Sequence, residues 1–151
     1  MRPLNILIVD DEHAFRSTLI KRLNRRGIKA LEAACGEDAL RMLKRETVSV
    51  VVLDVKMPGM DGLETLSHIK RDHPDVAVVL LTGHADRAAA QRAMVDGAFD
   101  FILKPIAIHE LLWAIEEADR RTREQRTYLE DEDSEHERPG VEARAHTDKN
   151  L

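Results

Sequence analysis

Cysteine and aromatic side chains are nearly absent from this chain. Its single cysteine, Cys35, has no partner for an internal disulfide, which agrees with a reducing compartment. Aromatic residues make up 3% of the 151 residues, so a core has to come from aliphatic side chains, and an apolar content of 43% is enough for one. Hydrophobic runs are short. None approaches the roughly 20 residues that span a bilayer, and the start, Met1-Arg2-Pro3-Leu4, lacks the apolar stretch of a signal peptide. Excess positive charge is missing too: a formal net charge of -5 offers no electrostatic footprint for nucleic acid or an anionic membrane. No glycine-rich cradle of the form GxxxxGK followed by Ser or Thr is present. The expectation is a soluble cytoplasmic protein with no direct nucleic-acid or membrane contact. Its length suits one ordinary domain rather than two.

What the chain does contain is a series of apolar runs that stop on polar residues. Val50-Val51-Val52-Leu53 ends on Asp54 and reads as a strand buried on both faces. The following Val55-Lys56-Met57-Pro58-Gly59-Met60-Asp61-Gly62 carries Pro-Gly and Asp-Gly punctuation and is a loop. Ile6-Leu7-Ile8-Val9 is a similar run that stops on Asp10-Asp11-Glu12. Val76 to Leu81 stops on Thr82-Gly83-His84, and Phe99 to Leu103 stops on Lys104-Pro105. Only Ile28 to Ala33 is partly alternating, as an edge strand should be.

Between the runs lie helical patterns. Phe15, Leu19 and Leu23 share one face of the first, with Arg16, Lys21 and Arg22 off it, and Gly27 closes it. The second opens at Gly36-Glu37-Asp38 and turns Leu40 and Leu43 inward. The third carries Leu63, Leu66 and Ile69; the fourth is alanine-rich and breaks at Gly97; the fifth carries Leu111, Leu112, Ile115 and Ala118. Five βα units in strict alternation predict an α/β, doubly wound parallel sheet. With strand 2 at an edge and right-handed crossovers, the order is 2-1-3-4-5, the flavodoxin-like arrangement. The apolar stripe is lost near Arg120, and Glu130-Asp131-Glu132-Asp133 is an acidic block. A domain over 1–119 is therefore expected, followed over 120–151 by a polar, charged tail, disordered beyond a frayed helix end.

Parallel strands alternating with helices bring their carboxyl ends to one edge, where ligands collect. Asp10, Asp11, Asp54, Thr82 and Lys104 all fall there, while strand 2 ends in Ala33-Ala34 and offers nothing. Clustered carboxylates repel one another unless a cation binds or one takes up a proton. Oxygen-only, carboxylate-rich ligation suits Mg²⁺. An aspartate can attack a phosphoryl group when a metal and further donors cover the other oxygens. Thr82 supplies a neutral donor and Lys104 a positive one. This inventory fits reversible phosphorylation of Asp54.

Asp10-Asp11, Asp54 with Met57-Pro58-Gly59-Met60-Asp61-Gly62, Thr82-Gly83 and Lys104-Pro105 together resemble the receiver domain of two-component response regulators. The resemblance covers residues 5 to about 119. It implies that Asp54 is the phosphoacceptor, that Asp11 is the main carboxylate ligand of Mg²⁺ with Asp10 acting mostly through water, and that the Lys56 backbone carbonyl completes the set. It also implies that Thr82 bonds the phosphoryl group, that Lys104 pairs with it through a cis peptide to Pro105, and that Phe101 is the aromatic residue that turns inward on activation. A histidine kinase or histidine phosphotransfer protein is the implied donor. The output surface is that of the fourth helix, fifth strand and fifth helix, used for a downstream protein or a homodimer. The length after the fifth helix suggests a stand-alone receiver, a signalling switch in a phosphorelay rather than an enzyme.

Other residues carry blander readings. Glu12, Lys56 and His84 are expected to be solvated loop residues, Met57 and Met60 gap fillers, Cys35 inert, and Trp113 a packing residue rather than a partner anchor. His13, His68, His73, His109, His136 and His146 show no metal-ligand spacing. A Mg²⁺-dependent phosphatase with Asp54 as nucleophile is disfavoured because Lys56 stands where such an enzyme needs its general acid. A phosphorylation-independent interaction module is disfavoured because no acidic or lysine position is lost.

Overall fold

The computed structural model describes residues 4–136. Strands β1 (Ile6–Val9), β2 (Ala30–Ala33), β3 (Val50–Asp54), β4 (Ala77–Thr82) and β5 (Asp100–Leu103) alternate with helices α1 (His13–Arg25), α2 (Gly36–Arg45), α3 (Gly62–Asp72), α4 (Arg87–Ala93) and α5 (Ile108–His136). All pairings are parallel and the order is β2-β1-β3-β4-β5, as the run pattern predicts. Every residue of β1, β3 and β4 is buried, which explains why those segments read as unbroken apolar runs.

Successive side chains along each strand enter opposite layers. Ile6, Ile8, Val50, Val52, Val79, Leu81 and Ile102 pack with Leu19 and Leu23 of α1 and Leu111 and Ile115 of α5. Leu7, Val9, Val51, Leu53, Val78 and Leu80 pack with residues of α2, α3 and α4. Each such aliphatic contributes about 1.5–3 kcal/mol on leaving water, so the aliphatic layers supply most of what holds the sheet, with Phe15, Phe99 and Phe101 half-buried against them. Among the described residues no helix is long and apolar enough to cross a membrane.

Local chemistry sets the helix ends. Gly27, at φ +76°, follows α1 as predicted; its N–H donates to the Asn24 carbonyl while the Ile28 N–H reaches the Leu23 carbonyl, both at 3.0 Å. Asp61 caps α3 by accepting the Glu64 N–H at 2.9 Å. The alanine-rich segment is a true helix only to Ala93. Met94 to Gly97 then close back on Gln91 to Met94 through tighter i to i−3 bonds, and Gly97 takes φ +108°.

Three expectations need correction. The helix does not fray near Arg120: α5 runs to His136, supported by Arg120 pairing with Glu117 and Glu124 and by Arg123 pairing with Asp119. The rest of the expected tail, 137–151, lies outside the described residues. In α2, Leu43 is buried and Leu40 is half-buried against the same cluster, both inward as expected, and Ala39 is fully buried beside them. Arg16, placed off the apolar face, is 8% exposed, because its position three before Leu19 and seven before Leu23 puts it on the buried stripe. Trp113 is 61% exposed, since it lies two residues from Leu111 on the opposite side of α5.

Glycine is required where α3 meets the end of β3. A Cβ on Gly62 would lie 2.2 Å from the Asp54 carbonyl oxygen and 2.6 Å from Val55 Cα, both main-chain atoms that cannot rotate away. Gly27 has open space around it and only its backbone conformation to protect. In urea titrations Gly62→Ala is expected to lose about 2–3 kcal/mol by overpacking, and Gly27→Ala about 1 kcal/mol.

Candidate functional site

The carboxyl ends of β1, β3, β4 and β5 meet as the topology requires. Asp10, Asp11 and Asp54 each present a carboxylate oxygen, all three within 4.8 Å of one another, and among the described residues they form the acidic cluster able to hold a metal ion. Asp10 is fully buried and Asp54 is 5% exposed, whereas Asp11 faces water. The Asp10 carboxylate is held by the Glu12 N–H at 2.9 Å. Lys104 Nζ lies 3.3 Å from an Asp54 oxygen and 3.4 Å from an Asp10 oxygen, over the ring of Phe15 at 4.5 Å from its centroid. The lysine is placed by its own N–H, which donates to the Thr82 carbonyl at 2.8 Å, and the peptide to Pro105 is cis.

Thr82 ends β4 and is buried, its hydroxyl donating to the Gly83 carbonyl at 3.2 Å. Phe101 on β5 pairs in register with Leu80, so Phe101 and Thr82 lie on the same face of the sheet, two steps apart along neighbouring strands. Phe101 is half-buried against the α2–α4 layer. Glu12, Lys56 and His84 are exposed, and Met57 fills the core beneath the β3–α3 loop, all as expected.

One ammonium does not neutralise three carboxylates. Burial, and next the Asp10 charge, raise the Asp54 pKa from an ordinary 3.8 to about 6, with Lys104 pulling the other way. For Lys104, burial alone would lower the pKa, but Asp54 and Asp10 outweigh it and the net direction is up. The donor set is entirely oxygen and carries a surplus of negative charge that one cation would relieve. It therefore fits Mg²⁺, with Asp10, Asp11 and Asp54 as the carboxylates that would hold it. When bound, the ion supplies charge neutralisation for the carboxylates and for phosphoryl oxygens.

Two residues at this edge escaped the sequence reading. The Arg16 guanidinium donates to the Asp10 carbonyl at 2.7 Å and to Glu32 at 2.7 Å. Strand 2, expected to offer nothing, thus contributes Glu32. The signal was available in the helical spacing of Arg16, Leu19 and Leu23 and in the lone acid of an otherwise apolar edge strand.

With that geometry in view, comparison with known proteins is direct. The family model described as the response regulator receiver domain matches residues 6–116, and the chain belongs to that family. The DNA-binding transcriptional regulator NtrC of Proteus hauseri is 37% identical over 126 residues, 83% of this chain and 27% of that protein. The C4-dicarboxylate transport transcriptional regulatory protein DctD of Rhizobium meliloti is 34% identical over 119 residues, 79% of this chain and 26% of its own length. The chain spans about a quarter of the length of these curated relatives. Among solved structures, a response regulator receiver domain protein from Clostridium thermocellum has a TM-score of 0.76 at 34% identity, covering 80% of this chain and 97% of that one. NtrX from Brucella abortus, solved with ADP, has a TM-score of 0.79 at 32% identity, covering 85% of this chain and 30% of that one.

The Asp54 pKa has a consequence for stability. Because the folded value lies above the unfolded one, ionised Asp54 opposes folding. The penalty is absent below 3.8, grows as pH rises between 3.8 and about 6, and is complete above that. In chelator at pH 7.5, Asp54→Asn is expected to exceed the wild type by about 1–2 kcal/mol, a figure discounted for solvent screening. The difference should vanish near about pH 4, which chemical denaturation at the two pH values checks.

Proposed function

We propose that this receiver domain accepts a phosphoryl group on Asp54 in a Mg²⁺-dependent reaction, from a histidine kinase or a histidine phosphotransfer protein. The observation that carries the reading is the convergence of Asp10, Asp11, Asp54 and Lys104 within hydrogen-bonding or ligand distance at one sheet edge. An Asp54 oxygen forms the new P–O bond as the bond from phosphorus to the donor breaks, and the donor leaves with that electron pair. Asp11, Asp10 and the Lys56 carbonyl join Asp54 in holding Mg²⁺. Lys104 exchanges its carboxylate partner for a phosphoryl oxygen, and Thr82 donates its hydroxyl to another.

Bonding of Thr82 to the new group withdraws that hydroxyl from the Gly83 carbonyl, and Phe101, on the same face, follows inward. The surface of α4, β5 and α5 thereby changes its affinity for a downstream protein or a second copy of the chain. Support for an apolar component comes from Trp113 on α5 and from Met94 and Val95 after α4, all exposed. The proposed setting is a cytoplasmic phosphorelay.

Incubation with acetyl phosphate and Mg²⁺ tests the first step. Intact-mass measurement should show one added phosphoryl group, lost in chelator and in Asp54→Asn. No gain on the wild type under any Mg²⁺ concentration would sink the reading. For the surface, Trp113→Ala should leave stability within about 0.5 kcal/mol yet weaken any phosphorylation-dependent self-association seen by sedimentation.

A further inference from the structure

A buried arginine beside an acidic cluster needs a reason, because leaving water is costly for a charge unless its donors are fully used. Arg16 uses its donors in three directions. Nε bonds Glu32 at 2.7 Å, Nη1 bonds the Asp10 main-chain carbonyl at 2.7 Å, and Nη2 meets His13 Nδ1 at 3.2 Å. The first two tie α1 to the edge strand β2 and to the residue where β1 gives way to the acidic loop.

The register shows how the tie is made. Glu32 is the partner of Ile8, so it emerges on the α1 side of the sheet, and the ladder continues one step further through the Asp10 N–H to the Ala33 carbonyl at 3.2 Å. Asp10 is thus fixed at its N–H by β2, at its carbonyl by Arg16 and at its side chain by the Glu12 N–H. Glu32 largely cancels the guanidinium charge. What remains is a planar guanidinium whose Nε and Nη1 reach two separate acceptors at fixed distance, a geometry that a lysine does not reproduce.

We infer that Arg16, oriented by Glu32, is a positioning residue for the Asp10–Asp11 carboxylates: it holds the β1 end in the geometry that binds a divalent cation. The inference rests on the proposed Mg²⁺-dependent chemistry and adds the edge strand, through Glu32, to the parts that set cation affinity. Groups that orient metal ligands commonly account for about 10- to 100-fold in affinity.

The test is Mg²⁺ affinity by titration calorimetry on the full chain, without any phosphodonor. Arg16→Gln/Glu32→Gln removes both charges together, so net charge is unchanged and only position is lost. Its Mg²⁺ dissociation constant should rise about tenfold or more. Glu32→Gln alone, at a half-exposed position where the amide oxygen can still accept from Arg16, should weaken binding several-fold. A purely structural tether would instead lower the melting temperature of the double variant and leave the dissociation constant within about twofold of wild type. That result in either variant overturns the inference. Absence of Asp54 phosphorylation in the wild type overturns the proposed function and is read in a separate experiment.

Discussion

Mutual repulsion among three aspartates is the constraint on which the rest of this structure depends. A parallel sheet brings its strand ends together whatever residues they carry, and here they carry Asp10, Asp11 and Asp54. Lys104 answers part of that charge and leaves the remainder. The site is therefore electrostatically unfinished by its own residues. It gains most from what supplies positive charge or uses a carboxylate chemically.

Holding like charges together takes a rigid frame. β1 and β3 are entirely buried, so a shift in register would turn aliphatic side chains to water. At the end of β3 the α3 N-terminus approaches so closely that only glycine fits, which locks the loop after Asp54 to a helix. At the end of β1, Asp10 is fixed by bonds to its N–H, carbonyl and side chain. Stability and reactivity are opposed at this edge: the frame is strong because the groups it confines disfavour one another.

Most of the fold was legible in the sequence because buried parallel strands leave an unmistakable pattern. Runs such as Val50 to Leu53 and Val76 to Leu81 have no other economical explanation, and the single alternating run marked the edge. The strand-end residues were legible for the same reason, since topology alone brings them to one edge. Arg16 was missed because a charged residue was placed off the apolar face by type, and Glu32 because its pairing joins two elements 16 residues apart in the chain. Trp113 was misjudged in the opposite sense, an apolar residue expected to pack at the rim and left largely exposed by its place on the helix. The end of α5 was misread because loss of an apolar stripe was equated with loss of helix, although i, i+3 and i, i+4 ion pairs sustain it at least through Glu124.

That last helix has a mechanical consequence. The family match ends at residue 116, and α5 continues unbroken to His136. At 1.5 Å per residue the continuation is about 30 Å long. Its first part stays against the body, where Arg121 stands over Phe99 at the start of β5. A rotation of α5 by about 10° would carry the far end through about 5 Å, by the geometry of a rigid rod of that length. The packed arm of the helix lies on the sheet face that carries Val79, Leu81 and Ile102, opposite the face that carries Thr82 and Phe101. By the geometry of a rod, any small tilt of that packed arm is magnified several-fold at the far end.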